Sequence, residues 1–95
     1  MAYTNEELLR LRNEHIPQGA VNVAPVFIQK ATGALLTDVE GNEYIDFAGG
    51  IGVNNVGHSH PKVVQAIKDQ AEKFIHTCFH ISMYDSYVEL AKQLN

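Results

Sequence analysis

The clearest periodicity in the chain is a helical one between residues 61 and 75. Apolar residues recur there every three or four positions, and charged residues occupy most positions between them. The apolar series is Val63, Val64, Ile67, Ala71, Phe74 and Ile75. Pro61 suits the first turn of a helix, where its missing N–H has no helical partner, and Ser59 or His60 is the expected cap. An amphipathic helix over residues 61–75 is therefore predicted.

Two further helices are indicated by capping boxes, in which a Ser or Thr is followed three residues later by Glu. Thr4 and Glu7 form the first box, and leucines interspersed with charged residues follow it, so a helix is expected over residues 5–14. Ser86 and Glu89 form the second box. The apolar positions after this box continue to the last residue, so we expect the final helix to extend beyond residue 95.

Short strands with period-two alternation are predicted in the region before the glycines. The first is expected over residues 26–31, the second over 35–39 and the third over 43–47. Gly41 supplies the turn between the last two, because glycine tolerates a positive φ. Consecutive short strands joined by tight turns form an antiparallel meander rather than a βαβ unit. Together with the helices, this meander predicts an α+β segment.

Three glycines fall within four positions, Gly49, Gly50 and Gly52. They are expected to form a loop, because glycine is unfavourable in the centre of a helix or strand. The loop matches neither the dinucleotide-binding fingerprint nor a P-loop, since no βαβ unit surrounds it and no Gly-Lys-Ser/Thr follows it. A tightly packed connection and a pocket wall that presents Ile51 both fit this pattern, and the family resemblance below favours the pocket wall.

The histidines and the single cysteine are candidates for a zinc site or for a nucleophile paired with a histidine. Residues 76–82 are expected to be extended, which would place His76, Cys78 and His80 on one strand face. Their spacing matches no common zinc motif, and no orienting group or oxyanion hole accompanies the thiol. A zinc site and a nucleophilic Cys78 are therefore disfavoured. A buried, inert cysteine and a buried, hydrogen-bonded His58 are expected instead.

The carboxylates give no sign of an acid–base pair. Asp38, Glu40 and Glu43 flank the second turn and are expected to be solvated. Asp46 alternates with apolar neighbours and is expected to have a structural role. A glycosidase-type pair has no support in this pattern.

Composition restricts the compartment and the partners. The net charge is −4 and the seven Lys and Arg are scattered, so no basic stripe for nucleic acid is present. A single cysteine permits no internal disulfide, which favours a reducing, cytoplasmic compartment. No uninterrupted apolar stretch approaches membrane-spanning length, so no membrane partner is expected.

Four segments of the chain match one enzyme family in order and spacing. They lie at residues 16–27, 38–47, 48–64 and 76–79, and the two central segments have the sequences DVEGNEYIDF and AGGIGVNNVGHSHPKVV. They make the chain similar to the class III pyridoxal-phosphate-dependent aminotransferases, and most similar to the 4-aminobutyrate type. The resemblance implies an α+β segment of a fold type I, aspartate aminotransferase-like transferase. Residues 1–95 would then be a single N-terminal segment of its small domain, with the rest of the enzyme outside them.

The resemblance also implies a reaction, a cofactor and an assembly. Enzymes of this family move the amino group of an ω-amino acid, such as 4-aminobutyrate, to 2-oxoglutarate, with pyridoxal 5'-phosphate attached to a lysine. In the family this lysine and the phosphate-binding residues lie beyond residue 95, and the five lysines of this chain occupy polar positions. We therefore expect no catalytic, cofactor-binding or metal-binding residue here, and an inactive chain when it is alone. The whole protein is expected to be a homodimer or a higher homo-oligomer.

Five residues match or adjoin substrate-pocket positions of the family. Ile51 matches the position that packs over the aliphatic chain of 4-aminobutyrate, where the ornithine branch has a tyrosine, so a donor without an α-amino group is implied. His80 lies near another pocket position, where bacterial 4-aminobutyrate enzymes have glutamine, and this departure leaves the donor open. Gly50, Cys78 and Phe79 are expected pocket neighbours.

An alternative function is a non-catalytic module that associates with a full-length aminotransferase, because no complete catalytic set falls within residues 1–95. Under either function, apolar helix faces with few partners predict that the isolated chain is partly molten and associates.

Overall fold

The computed structural model describes residues 2–95. The chain divides into two compact units, Met1–Pro61 and Lys62–Asn95. The first unit contains helix α1 (Asn5–His15), strands β1 (Ile28–Thr32), β2 (Leu35–Asp38) and β3 (Glu43–Ile45), and the four-residue helical segment α2 (Gly49–Gly52). Helix α3 (Pro61–Lys73) begins at the boundary, and helix α4 (Asp85–Leu94) follows it. Within residues 2–95, no helix has the length and apolar character needed to cross a membrane.

Helix α1 begins at the predicted capping box. The Thr4 hydroxyl accepts a hydrogen bond from the Glu7 N–H at 3.1 Å, and the Glu7 carboxylate accepts from the Thr4 N–H at 2.8 Å. Two of the free N–H donors at the start of the helix are thereby satisfied, which is the physical basis of the motif. The helix ends at His15, and the cap residue Ile16 has an extended backbone one residue before Pro17. The prediction of this helix is confirmed, with one added residue at its end.

The three strands form an antiparallel sheet in the order β1-β2-β3, as the predicted meander requires. A register shift interrupts β1 between Ile28 and Lys30. The first strand starts later than expected because the Phe27 N–H donates to the Asn5 side chain at 2.8 Å instead of to a strand. The third strand ends at Ile45, since the carboxylate of Asp46 turns to cap the following segment.

The predicted amphipathic helix is confirmed as α3, two residues shorter than expected. Its apolar face is exposed within this chain, with Val63 at 46% and Ile67 at 63% of full exposure. Among residues 2–95 no apolar side chain is fully buried, and Asp38 alone has a fully buried side chain. Hydrophobic burial of this extent cannot outweigh the entropy of ordering so many residues. Apolar burial within this chain therefore contributes little to its stability.

Two expectations about the second unit are wrong. Residues 76–82 are not extended, because the Ile81 and Ser82 N–H groups both donate to the Cys78 carbonyl, at 2.8 and 3.0 Å, and close a turn. The capping box at Ser86 is not formed either. Helix α4 begins at Asp85 with Tyr84 as its cap, so Ser86 already has helical backbone and cannot serve as an N-cap.

Candidate functional site

The glycine-rich segment is a single left-handed helical turn. Gly49, Gly50, Ile51 and Gly52 have φ values of 56°, 65°, 63° and 76°. The Ala48 carbonyl accepts from the Ile51 N–H at 2.9 Å and from the Gly52 N–H at 3.2 Å. The expectation of a loop without helical hydrogen bonds is therefore corrected. Such bonds form, but the backbone is left-handed, which only glycine adopts without an energetic cost. Three glycines in four positions make this turn possible.

Ile51 is the residue for which this turn is costly. A β-branched L-residue in the left-handed region loses about 1–2 kcal/mol relative to right-handed backbone. Its side chain is 94% exposed in this chain. Backbone strain of this kind persists where the surrounding structure enforces it, and it often occurs at ligand sites. The turn thus presents one large apolar side chain in a fixed, strained geometry.

Asp46 holds the start of the left-handed turn. Its Oδ1 accepts from the Ala48 N–H at 3.0 Å and the Gly49 N–H at 2.9 Å, while its Oδ2 lies 2.5 Å from His58 Nε2. The hydrogen bond from His58 is the largest cause that lowers the pKa of Asp46 below its usual range, and the Gly49 N–H adds to it. The structural role expected for Asp46 and the hydrogen bond expected for His58 are both confirmed. His58 is partly rather than fully buried, with its side chain 19% exposed.

His58 in turn is fixed to the sheet. Its N–H donates to the Gly33 carbonyl at 2.9 Å, and its carbonyl accepts from the Gly33 N–H at 3.0 Å. At Gly57 an added Cβ would come within 3.1 Å of Gly33 Cα, so a side chain would push this bridge apart. The imidazole that binds Asp46 is therefore carried on backbone paired with the β1–β2 turn.

Asp38 is the centre of a second polar network, and the expectation that it is solvated is wrong. It is fully excluded from solvent. Its Oδ1 accepts from the backbone N–H groups of Glu40 and Asn42, both at 2.9 Å. Its Oδ2 accepts from the side chains of Asn42, Asn5 and Tyr44, at 3.1, 3.0 and 2.8 Å. Five donors around one carboxylate replace the water that it loses on burial.

Two opposing effects act on the charge of Asp38. Burial disfavours the anion and by itself raises the pKa, but the hydrogen bonds from Asn42, Asn5 and Tyr44 outweigh it and hold the pKa of Asp38 far below its usual range. The hydrogen bond that Tyr44 donates to Asp38 raises the pKa of the Tyr44 hydroxyl, because the phenolate would face the carboxylate. Asp38 is consequently an ionised, fully coordinated group, suited to holding the hairpin rather than to proton transfer.

Asn5 connects helix α1 to the network around Asp38, and the sequence pattern did not predict this role. Its Nδ2 donates to Asp38 at 3.0 Å and to Glu40 at 2.7 Å. Its Oδ1 accepts from the Phe27 N–H at 2.8 Å, and its own N–H donates to Glu40 at 3.0 Å. These partners lie 22 to 35 positions away, beyond any local motif. Nothing in the helix-capping pattern distinguishes this asparagine from an ordinary first-turn residue.

The five candidate pocket residues fall in two units. Gly50 and Ile51 belong to the first, and Cys78, Phe79 and His80 to the second. Phe79 packs against Tyr84 and Tyr87, with ring centroids 5.1 and 4.6 Å apart. His80 is exposed.

Cys78 does not have the surroundings expected for it. The thiol is exposed, so the prediction of a buried cysteine is wrong. Its backbone has a φ of 56°, which breaks the strand that would have aligned it with the neighbouring histidines. Within the described part of the chain, no group of three His, Cys, Asp or Glu side chains converges to hold a metal ion.

The family resemblance implies a pyridoxal cofactor, which would be attached to a lysine. A cofactor lysine needs a desolvated setting that lowers its pKa and fixes its amine. All five lysines of the chain are exposed, one on β1, three on α3 and one on α4. They are Lys30, Lys62, Lys68, Lys73 and Lys92. Within residues 2–95 none of these lysines lies in such a desolvated setting.

Comparison with known proteins identifies the family of this chain. The family model described as aminotransferase class-III matches residues 16–95. The chain belongs to this family. It is 48% identical over 94 residues to the 5-aminovalerate aminotransferase DavT of Pseudomonas aeruginosa, covering 99% of this chain and 22% of that protein. It is 47% identical over 92 residues to the 4-aminobutyrate aminotransferase GabT of Escherichia coli, covering 97% and 22%. The chain thus spans only 22% of the length of these relatives.

Solved structures of class III aminotransferases share the fold. The acetylornithine aminotransferase of Elizabethkingia anophelis aligns with a TM-score of 0.82 and 32% identity, over 97% of this chain and 23% of that one. The ornithine aminotransferase of Toxoplasma gondii, whose structure has partial occupancy of PLP at the active site, aligns with a TM-score of 0.73 and 36% identity, over 80% and 18%. The predicted family and fold class, an α+β segment of an aspartate aminotransferase-like transferase, are confirmed.

Proposed function

We propose that this chain is the N-terminal part of an aminotransferase that moves the amino group of 4-aminobutyrate or a similar ω-amino acid to 2-oxoglutarate. The observation that carries the proposal is 47–48% identity, over nearly the whole chain, to relatives named for 4-aminobutyrate and 5-aminovalerate. Both named donors carry their amino group at the end of an unbranched aliphatic chain. Residues 1–95 would form a single segment of the small domain of the whole enzyme.

Ile51 is the residue to which we assign donor recognition. An exposed isoleucine on strained backbone offers a rigid apolar surface to the methylene groups of an ω-amino acid. The same surface offers no partner to an α-ammonium group, whose desolvation would then be uncompensated. Ornithine carries such a group and 4-aminobutyrate does not, so Ile51 favours the latter. Gly50 remains a proposed neighbour of Ile51, and Cys78, Phe79 and His80 remain substrate-pocket residues proposed from the family resemblance.

Pyridoxal 5'-phosphate is the cofactor proposed for the whole protein, where it would supply the electron sink for amino transfer. Because no lysine of residues 2–95 fits its attachment, the residues that hold it are assigned to parts of the protein outside this segment. Assembly as a homodimer or a higher homo-oligomer stays a prediction from the resemblance, and a cytoplasmic location stays a prediction from the single cysteine.

The direct test uses the whole protein that carries this segment. Reduction with borohydride in the presence of pyridoxal phosphate should fix the cofactor to one lysine, and peptide mapping should place it outside residues 1–95. Amino transfer to 2-oxoglutarate should be faster from 4-aminobutyrate or 5-aminovalerate than from ornithine. Absence of both a labelled lysine and amino transfer would remove the enzymatic proposal.

A non-catalytic module that binds a full-length aminotransferase is the second candidate. It is favoured by the lack of any cofactor-competent lysine among residues 2–95. The two candidates are separated by the intact mass of the protein purified from its source cell. A mass of 10.5 kDa would favour the module, and a mass several times larger would favour the enzyme. For the module, co-purification with a full-length aminotransferase is then the expected result.

A further inference from the structure

Asp46 and His58 form a hydrogen-bonded pair that no step of the proposed function uses. We propose that this pair positions Ile51 for recognition of the donor, so that it sets the preference between donors with and without an α-amino group. The inference rests on the proposed function, since it deepens the role given to Ile51. Asp46 and His58 are positioning residues in this scheme and touch no substrate.

The first step of the argument is that Ile51 cannot hold its own backbone. Its φ of 63° is unfavourable for a β-branched side chain, and its side chain, 94% exposed, gains no packing within this chain. A turn with three glycines has many accessible conformations, because glycine adopts positive and negative φ about equally. Something outside the turn must therefore select the left-handed form.

The second step is that Asp46 supplies this selection. One carboxylate oxygen accepts from the two consecutive N–H groups that open the turn, those of Ala48 and Gly49, at 3.0 and 2.9 Å. Two amides aimed at one oxygen fix the orientation of the peptide planes that enter the turn. The hydrogen bond from His58 and, to a smaller extent, those from the two amides lower the pKa of Asp46 and so stabilise its charged form.

The third step is that His58 fixes Asp46. Its Nε2 lies 2.5 Å from the second carboxylate oxygen. Its own backbone is paired with Gly33 in both directions, at 2.9 and 3.0 Å, and the Asp46 N–H donates to the Ala34 carbonyl at 2.8 Å. The carboxylate is thus held from the sheet side and from the His58 side. Loss of the imidazole would free its outer oxygen and let the turn relax.

A catalytic role for the pair fits the geometry less well. Asp46 has both oxygens occupied, one by backbone amides and one by the imidazole. Within residues 2–95, no hydroxyl or thiol is hydrogen-bonded to the remaining nitrogen of His58, so these residues contain no nucleophile that the pair activates. The arrangement holds a backbone turn in place and does not relay a proton.

The experiment measures donor discrimination in the whole protein. The ratio of kcat/KM for 4-aminobutyrate to kcat/KM for ornithine, with 2-oxoglutarate as acceptor, is compared between wild type and His58→Leu, which cannot donate to Asp46. His58→Gln is the rescue variant, because its amide reaches about as far as Nε2 and can donate. His58→Asn keeps a polar amide that is one methylene too short, and it serves if the leucine variant fails to fold. His15→Leu is the control, since His15 is an exposed histidine on α1.

His58→Leu and His58→Asn should lower the ratio about tenfold, the scale expected when a shape-selective apolar contact is lost. His58→Gln and His15→Leu should stay within about twofold of wild type. A purely structural defect would reduce both kcat/KM values together and leave the ratio unchanged, and that result would overturn the inference. So would a glutamine variant as impaired as the leucine variant. If the wild type uses neither donor, the proposed function falls and this inference falls with it.

Discussion

The contact between helix α1 and the sheet provides the most direct test of how the first unit is held together. Replacing Asn5 by alanine removes three side-chain hydrogen bonds, to Phe27, Asp38 and Glu40. The bond from the Phe27 N–H is neutral and contributes about 1 kcal/mol, while the partly buried bond to the charged Asp38 contributes about 1.5–3 kcal/mol. The exposed bond to Glu40 adds little, because water competes for it. The sum is about 3 kcal/mol.

Asn13→Ala is a matched control for this substitution. Asn13 is exposed on the same helix and makes no side-chain hydrogen bond within residues 2–95. Both substitutions exchange asparagine for alanine in a helix, so the gain in helix propensity, about 0.5 kcal/mol, cancels in the comparison. The difference between the two variants therefore isolates the contacts of Asn5.

The assay is hydrogen exchange of the Phe27 amide in the whole protein, because this N–H donates to Asn5 and reports local opening. At about 1.4 kcal/mol per factor of ten, Asn5→Ala should speed its exchange roughly a hundredfold. Asn13→Ala should leave it unchanged. Equal exchange in the two variants would mean that Asn5 does not fasten the helix to the sheet, and the argument from its hydrogen bonds would be refuted.

Four further outcomes are expected. Ile51→Gly should raise the free energy of unfolding by about 1 kcal/mol in urea titrations, because it removes the left-handed strain, while lowering kcat/KM for 4-aminobutyrate. Thr4→Ala should lower the free energy of unfolding by about 1 kcal/mol, with fraying of α1 seen by exchange of the Glu7 amide. The pKa of Asp38 is lower in the folded state than in the unfolded state, where it is about 3.9. The contribution of Asp38 to the free energy of unfolding is therefore complete above about pH 3.9 and is lost as the pH falls below that value. Asp38→Asn should flatten this acid dependence in urea titrations. The isolated chain should show poorly dispersed amide signals and concentration-dependent association, and sharp signals at monomer size would contradict this.

Local sequence signals predicted the parts of the fold that local physics determines. The Thr4 capping box and the amphipathic period of α3 involve residues within one or two helical turns, and both were found where expected. The order of the three strands followed from the tight turns between them. The second capping box failed because Asp85, just before Ser86, already begins the helix, and a motif alone cannot choose between neighbouring starts.

The candidate site was predicted less completely, because its decisive contacts join distant residues. Asp38 was expected in solvent, since its hydrogen-bond partner Asn5 lies 33 positions earlier and carries no marker of that contact. The three glycines predicted a loop at this position. The strain on Ile51 depends in addition on the Asp46 carboxylate, which holds the start of the left-handed turn. Cys78 was expected to be buried because free cysteines are commonly buried, and its positive φ has no signal in the sequence.

Polar and apolar contacts have different effects in this chain, which explains how a segment with so little buried apolar surface can have a defined site. Asp38 and Asp46 each gather backbone and side-chain donors from several elements, and these bonds fix the hairpin and the left-handed turn. The apolar faces of α3 and α4 contribute little within this chain, with Ile67 at 63% and Leu94 at 78% exposure. Hydrogen bonds specify geometry but contribute modest net stability, whereas apolar burial contributes stability with little geometric precision. We therefore expect the whole protein to cover these faces and supply most of the stability, while Asp38 holds the hairpin and Asp46 holds the turn that carries Ile51.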